Sequence, residues 1–132
     1  MIVLDASAAV RTVMDKGSPF QAMLKTADLV IAPELIVAEV CSAFRKYVRA
    51  RVLSSVEAEK LIERALSLVD QLQPLRELVP AVLALASRID SSACDIFYLA
   101  LARRTGATLL TADLALRKAA FGLGIETFAA PG

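Results

Sequence analysis

Ile2-Val3-Leu4-Asp5-Ala6-Ser7 is the stretch on which the fold turns: three apolar residues, a carboxylate, then small residues suited to the start of a helix. A short, continuous apolar run reads as a strand buried on both faces, and such strands belong to parallel sheets covered by helices. The same pattern returns at Leu109-Leu110-Thr111-Ala112-Asp113, again an apolar run that ends on an acid. In open α/β sheets ligands bind at the C-terminal edge of the strands, so Asp5 and Asp113 can converge there although they lie far apart in the chain.

Outward from these two runs, strands alternate with helices. The pattern predicts a strand over 2–4, a helix over 7–14, and a second short helix over 19–26 with Ser18 as N-cap and Pro19 at the first helical position. A strand over 29–32 ends at Pro33. Apolar residues at 36, 37, 40, 41, 44, 47 and 48 then define a long amphipathic helix over 34–51. Ser54 or Ser55 caps its partner, with Glu57 and Glu59 in the first turn and Leu61, Ile62, Ala65, Leu66, Leu68 and Val69 on its apolar face, which makes a helical hairpin over 34–71. A short strand over 74–78 is expected next, followed by helices over 79–89 and 93–105, the second opened by Ser92 and ended by Gly106. Strand 107–111, helix 114–121 and strand 125–128 complete the series. Alternation of this kind implies an α/β fold with right-handed crossovers around a parallel sheet, in a single domain over residues 1–132.

Composition narrows the chemistry. The 132 residues are 57% hydrophobic and 22% charged, which supports a packed core, and a net charge of +1 restricts any nucleic-acid contact to local patches. There is no histidine, which removes Ser-His-Asp and Cys-His hydrolysis, histidine-ligated zinc and histidine-driven RNA cleavage together. Neither G-x-x-x-x-G-K-[ST] nor G-x-G-x-x-G occurs. Cys41 and Cys94 lie in apolar helical surroundings without C-x-x-C spacing and are expected in the core, as in a reducing compartment. No apolar stretch approaches the roughly 20 residues of a bilayer span, so a cytoplasmic location is expected.

Four acids interrupt apolar segments: Asp5, Glu39, Asp95 and Asp113. Three of them have a purely structural explanation, Asp5 and Asp113 as N-caps and Asp95 as the acid of a capping box begun by Ser92. Glu39 does not, because it sits in mid-helix beside Leu35, Ile36 and Ala43. A buried carboxylate there needs an Arg or Lys such as Arg11 or Arg88, a cavity, or a cation. Acids gathered at one cleft raise one another's pKa unless a cation neutralises them, and an all-oxygen set favours magnesium or manganese, ions suited to phosphodiester hydrolysis.

The strings Val3-Leu4-Asp5-Ala6-Ser7, Leu35-Ile36-Val37-Ala38-Glu39-Val40, Asp95-Ile96-Phe97-Tyr98-Leu99-Ala100-Leu101-Ala102 and Leu110-Thr111-Ala112-Asp113 together resemble a PIN domain of the VapC toxin type, in order and spacing across the whole chain. The resemblance implies a three-layer α/β/α fold with a central parallel sheet of four to five strands and a protruding helical hairpin. It also implies a metal-dependent endoribonuclease acting as the toxin of a toxin–antitoxin pair, a cognate antitoxin that blocks the cleft, and a homodimer. Carried over by residue, Asp5, Glu39, Asp95 and Asp113 match the acidic quartet, with Asp5 and Asp95 as principal metal ligands and Glu39 and Asp113 supporting the metal or orienting water. Ser7 and Thr111 match positions whose hydroxyls assist. The sequence departs from the pattern at Cys94, where similar toxins often carry an aromatic residue.

Two surfaces follow. Arg45, Lys46, Arg49 and Arg51 give the long helix a basic end, with Arg103-Arg104 and Arg117-Lys118 elsewhere. Arg45 and Arg49 share a helical face within about two turns of Glu39 and are expected to hold RNA phosphates. The hairpin has apolar residues on more than one side, including Phe44, Tyr47, Val48 and Val52, and a groove between it and the short second helix would suit an amphipathic antitoxin helix. The alternative is a catalytically silent PIN-like module that only binds RNA or protein, and a phosphatase with Asp5 as nucleophile is weaker because Ser7 stands where a second Asp belongs.

Overall fold

The computed structural model describes residues 1–128; the last residues of the chain lie outside that range. Its five strands are β1 (Ile2–Leu4), β2 (Val30–Pro33), β3 (Gln71–Gln73), β4 (Thr108–Leu110) and β5 (Thr127–Phe128), all parallel, in the order β3-β2-β1-β4-β5. Between them run α1 (Ala6–Met14), α2 (Phe20–Thr26), α3 (Ile36–Arg49), α4 (Ser55–Leu66), α5 (Leu75–Ala86), α6 (Ala93–Thr105) and α7 (Leu114–Gly122). The chain winds from β1 through β2 to β3 in one direction, then returns to β4 and β5 on the other side of β1. Right-handed crossovers therefore put α1 to α4 on one face and α5 to α7 on the other, a three-layer α/β/α arrangement. The reversal falls between β1 and β4, the place where open sheets leave a crevice beyond the strand ends.

The central strands are buried on both faces, as their apolar runs require: Val3, Leu4, Leu109 and Leu110 are inaccessible to solvent. Ile36, Val40 and Phe44, one turn apart along α3, and Leu99 of α6 close the core from the two sides. Each such side chain contributes about 1.5–3 kcal/mol of hydrophobic stabilisation. The hairpin forms as expected: α3 packs on α4 and both pack on α1. Ser54 is the cap, accepting from the Glu57 N–H at 3.1 Å while the Glu57 carboxylate accepts from the Ser54 N–H at 2.9 Å. Gly106 ends α6 with φ +71°, the left-handed conformation for which glycine carries no Cβ penalty.

Four expectations fail. Pro19 and not Ser18 is the N-cap of α2, which begins at Phe20, although the Ser18 hydroxyl oxygen accepts from the Phe20 N–H at 3.3 Å. The strand anticipated over 74–78 is the start of α5; the edge strand precedes it at Gln71–Gln73, and Pro74 is the N-cap of the helix. Gln-Leu-Gln carries no apolar run because an edge strand is largely exposed. Pro80, expected near a first turn, lies inside α5, where it forfeits a backbone hydrogen bond. Cys41 and Cys94, expected in the core, are both exposed. The core stripe of α3 runs through Ile36, Val40 and Phe44, which turns Cys41 away, and Cys94 sits in the solvent-facing first turn of α6.

Arg51 adopts φ +59° just beyond α3. The Val52 N–H donates to the Tyr47 carbonyl at 2.9 Å and the Arg51 N–H to the Val48 carbonyl at 3.0 Å, which is a Schellman ending built on a non-glycine residue. Replacing Arg51 with Gly relieves the Cβ strain, and the folded chain is expected to gain roughly 1 kcal/mol. Thermal unfolding followed by circular dichroism checks this; an unchanged or lower melting temperature would contradict it.

Candidate active site

Asp5 emerges directly from β1 and Asp113 follows β4 by three residues, so the topological reversal brings the two ends together. Asp5 is only 4% exposed. Its Oδ1 accepts from the Ala8 N–H at 2.9 Å and from the Ser7 hydroxyl at 2.8 Å, and its Oδ2 accepts from the Thr111 hydroxyl at 2.5 Å. The Ser7 oxygen in turn accepts from the Ala112 N–H at 3.0 Å, and the Thr111 oxygen from the Asp113 N–H at 2.9 Å. Two hydroxyls thus tie the loop after β1 to the loop after β4. Asp113 caps α7, its Oδ1 accepting from the Ala115 and Leu116 N–H groups at 2.8 and 3.2 Å. The capping explanation for both acids is therefore correct as far as it goes, and it leaves Asp5 with a buried charge that one backbone cap does not neutralise.

Glu39 is half-buried in the first turn of α3 and not in mid-helix as expected, and its partner is neither Arg11 nor Arg88. The Tyr98 hydroxyl donates to its Oε1 at 2.7 Å. Arg11 lies over the Phe20 ring instead, 5.9 Å from its centroid. Tyr98 is 2% exposed, and a buried phenol needs a polar partner. It stands one helical turn after Asp95 on α6, and that i, i+3 spacing was the signal in the sequence that it shares a face with the acid. Asp95 itself lies in the first turn of α6, where its N–H donates to the Ser92 hydroxyl oxygen at 3.2 Å. Its carboxylate does not return the bond expected of a full capping box, and it opens instead on a depression of 710 Å³ between α6 and α7 that also contains Arg88 and Lys118.

The electrostatics link all four. Burial pushes the Asp5 carboxyl up to about 6, against hydrogen bonds from Thr111, Ala8 and Ser7, and the Asp113 charge pushes the same way. Burial likewise raises Glu39, with Asp95 adding to it, and raises Asp95, with Asp113 adding to it. Burial and the adjacent Glu39 carboxylate hold the Tyr98 phenol protonated. Among the described residues, none of these acids forms an ion pair. Nor do any three of them converge into a closed ligand shell as they stand among the described residues. An all-oxygen set of mutually repelling carboxylates without a basic partner is nevertheless chemically suited to a hard divalent cation.

The chain matches the PIN-domain family over residues 2–122. The chain belongs to that family. This PIN domain is 30% identical over 116 residues to a VapC ribonuclease of Mycobacterium bovis and to ribonuclease VapC9 of Mycobacterium tuberculosis, with 88% of each chain covered. Its fold is that of the FitAB structure bound to IR36 DNA, with TM-score 0.69, 22% identity, and 98% and 94% of the two chains covered. Mycobacterium tuberculosis VapC20, a sarcin-ricin loop-cleaving toxin, superposes with TM-score 0.65 at 16% identity over 90% and 95% of the chains. VapBC2 from Rickettsia felis, bound to a promoter DNA fragment, gives 0.64 at 14% over 98% of each. No helix of the described residues of this PIN domain is long and apolar enough to cross a membrane.

Arg45 and Arg49 line the groove between α3 and α4 of this PIN domain, beside Glu59 and Glu63, and not the depression at Asp95. Arg49 is ten residues past Glu39, nearly three helical turns, which exceeds the two-turn reach expected for it.

Because the folded Asp5 carboxyl titrates near 6 against an ordinary 3.8, the folded chain holds a proton between those values that the unfolded chain has shed. Stability from this group is therefore greatest below about pH 4, falls as pH rises to about 6, and stays low above that. In EDTA at pH 7.5, Asp5→Asn should be more stable than wild type by about 1–2 kcal/mol, since Asn keeps the cap and removes the buried charge. The difference should shrink toward pH 4. Urea unfolding across this range measures it, and a mutant less stable at every pH would show that the carboxylate is held by favourable contacts alone.

Proposed function

We propose that this PIN domain is a magnesium- or manganese-dependent endoribonuclease that hydrolyses RNA phosphodiester bonds, the toxin of a toxin–antitoxin pair. The observation that carries the reading is the linked set Asp5, Glu39, Asp95 and Asp113, three of them with raised pKa and none in an ion pair among the described residues. Similarity to VapC ribonucleases supplies the substrate class. Asp5 and Asp95 would be the principal ligands, with Glu39 and Asp113 supporting. A cation held there would lower the pKa of a water and stabilise the charge that develops on the phosphate.

The chain's own groups orient the rest. The Ser7 and Thr111 hydroxyls hold Asp5 in a single orientation, and the Tyr98 hydroxyl does the same for Oε1 of Glu39, whose Oε2 accepts no hydrogen bond among the described residues. Asp113 commits Oδ1 to α7, which leaves Oδ2 to orient the attacking water. With no histidine in the chain, a carboxylate accepts the proton of that water as its oxygen bonds to phosphorus, and the leaving oxygen is protonated from solvent.

For the antitoxin, a groove of 490 Å³ lined by Thr12 and Val13 of α1, Leu24 and Lys25 of α2, Arg64 of α4 and Leu68 just beyond it would suit an amphipathic partner helix. Phe44, Tyr47, Val48 and Val52 do not line it, and Phe44 and Val48 line the separate groove between α3 and α4 instead. A homodimer would cover Leu72, Val79 and Leu83, apolar residues exposed along β3 and α5.

The purified chain should cut a mixed RNA pool only with magnesium or manganese, and Asp5→Asn or Asp95→Asn should each lose at least about a hundred-fold in rate. The metal should also raise the melting temperature of wild type and not of Asp5→Asn. RNA bound but never cut, with no thermal response to metal, would instead establish the silent binding module. For Arg45 and Arg49, their joint change to Ala should weaken every RNA alike and lower the salt slope by about 0.7 for each phosphate no longer neutralised; an altered cleavage sequence would contradict a phosphate-only role.

A further inference from the structure

We infer that the outer face of α7 seats single-stranded RNA, with Phe121 as the platform on which a base stacks next to the cleavage site; the inference rests on the nuclease reading above. Leu114, Arg117, Lys118 and Phe121 fall at i, i+3, i+4 and i+7 and so form one stripe along the helix. Phe121 is 84% exposed and Leu114 52%. Exposure of single apolar residues is common and carries little by itself. Here the ring shares its stripe with two cations, and among the described residues neither Arg117 nor Lys118 pairs with a carboxylate. An aromatic plane flanked by unneutralised cations is complementary to a flat base on a polyanionic strand, a contact that tolerates any sequence.

The stripe is also continuous with the acids. Lys118 lines both the hollow of 330 Å³ that holds Leu114, Arg117 and Phe121 and the depression of 710 Å³ that holds Arg88 and Asp95. A strand with its scissile phosphate at Asp95 therefore meets Lys118 as it leaves and Phe121 beyond it. Asp90 is the other acid on the depression, which Arg88 and Lys118 also line. At the opposite end, α7 begins on Asp113, so Leu114 directly adjoins the quartet. Unstacked bases are available in single strands and loops and not in a duplex, which fixes the form of RNA that such a stripe can take. A partner protein anchored on Leu114 and Phe121 is the competing occupant; the paired cations and the shared Lys118 favour RNA.

The experiment is fluorescence anisotropy of a labelled single-stranded RNA of mixed sequence, and of its duplex, with the full chain in EDTA to prevent cutting. Phe121→Ala should weaken single-strand binding by about five-fold to a hundred-fold without altering its salt dependence, and Phe121→Trp should restore it. Changing Arg117 and Lys118 together to Ala should lower the salt slope by about 0.7 for each phosphate no longer neutralised. The ring is largely exposed, so the melting temperatures should match. Wild type that binds and cuts RNA, with Phe121→Ala binding equally well, overturns this inference alone. Wild type that neither binds nor cuts overturns the nuclease reading and the inference with it. A change in mass by light scattering for Phe121→Ala with RNA binding unchanged assigns the stripe to a protein interface and also overturns it.

Discussion

The hydrogen bonds from Ser7 and Thr111 onto the buried Asp5 carboxylate are the contacts on which the rest of the candidate site depends. They join the ends of β1 and β4 at the one point where the winding of the sheet reverses, and they do so with the same carboxylate that caps α1. A cap, an inter-loop tie and a buried charge are combined in one side chain. Thr111 extends the tie to the backbone of Asp113, so that the two strand-end acids are held relative to each other by two short side chains. Long side chains would lose more rotamer entropy to achieve the same fixation.

That arrangement sets function against stability. Three hydrogen bonds to Asp5 fail to offset the loss of hydration, and its carboxyl remains raised to about 6. Glu39 and Asp95 are raised for the same reason, Glu39 further by the Asp95 charge and Asp95 further by the Asp113 charge. A domain selected for stability alone would replace Glu39, since the space beside Ile36 and Val40 is apolar and Tyr98 needs only a neutral acceptor. The like charges instead form a set that a hard divalent cation would neutralise under the proposed function. The core supplies the reserve for this: β1 and β2 are buried along their length, α6 is buried from Tyr98 to Ala102, and Phe44, Ile36 and Leu99 are fully enclosed.

Most elements were legible in the sequence because their signals are local. The run Ile2-Val3-Leu4, the Ser54–Glu57 pair and Gly106 each state their structure within a few residues, through strand burial, reciprocal capping and left-handed geometry. What misled was what depends on position in the assembled sheet. Gln71–Gln73 carries no strand pattern because an edge strand needs none, and Pro74 then reads as a strand residue when it is the start of a helix. Cys41 and Cys94 look apolar in composition, but a one-residue step around a helix turns each from core to solvent. Arg45 and Arg49 keep their shared face, yet that face borders α4 and not the acids.

The sequence by itself determined the α/β alternation and the family, and it singled out the four candidate acids and two hydroxyls, because residue type at a strand end or helix start is constrained locally. Only the tertiary structure decided that Glu39 is held by Tyr98, that the hydroxyls bridge two loops, and that α7 continues the depression at Asp95 through Lys118. Those relations join residues tens of positions apart. They follow from which strand lies beside which, and the order β3-β2-β1-β4-β5 comes from packing two helical layers on one sheet, a global balance that no short stretch of sequence encodes.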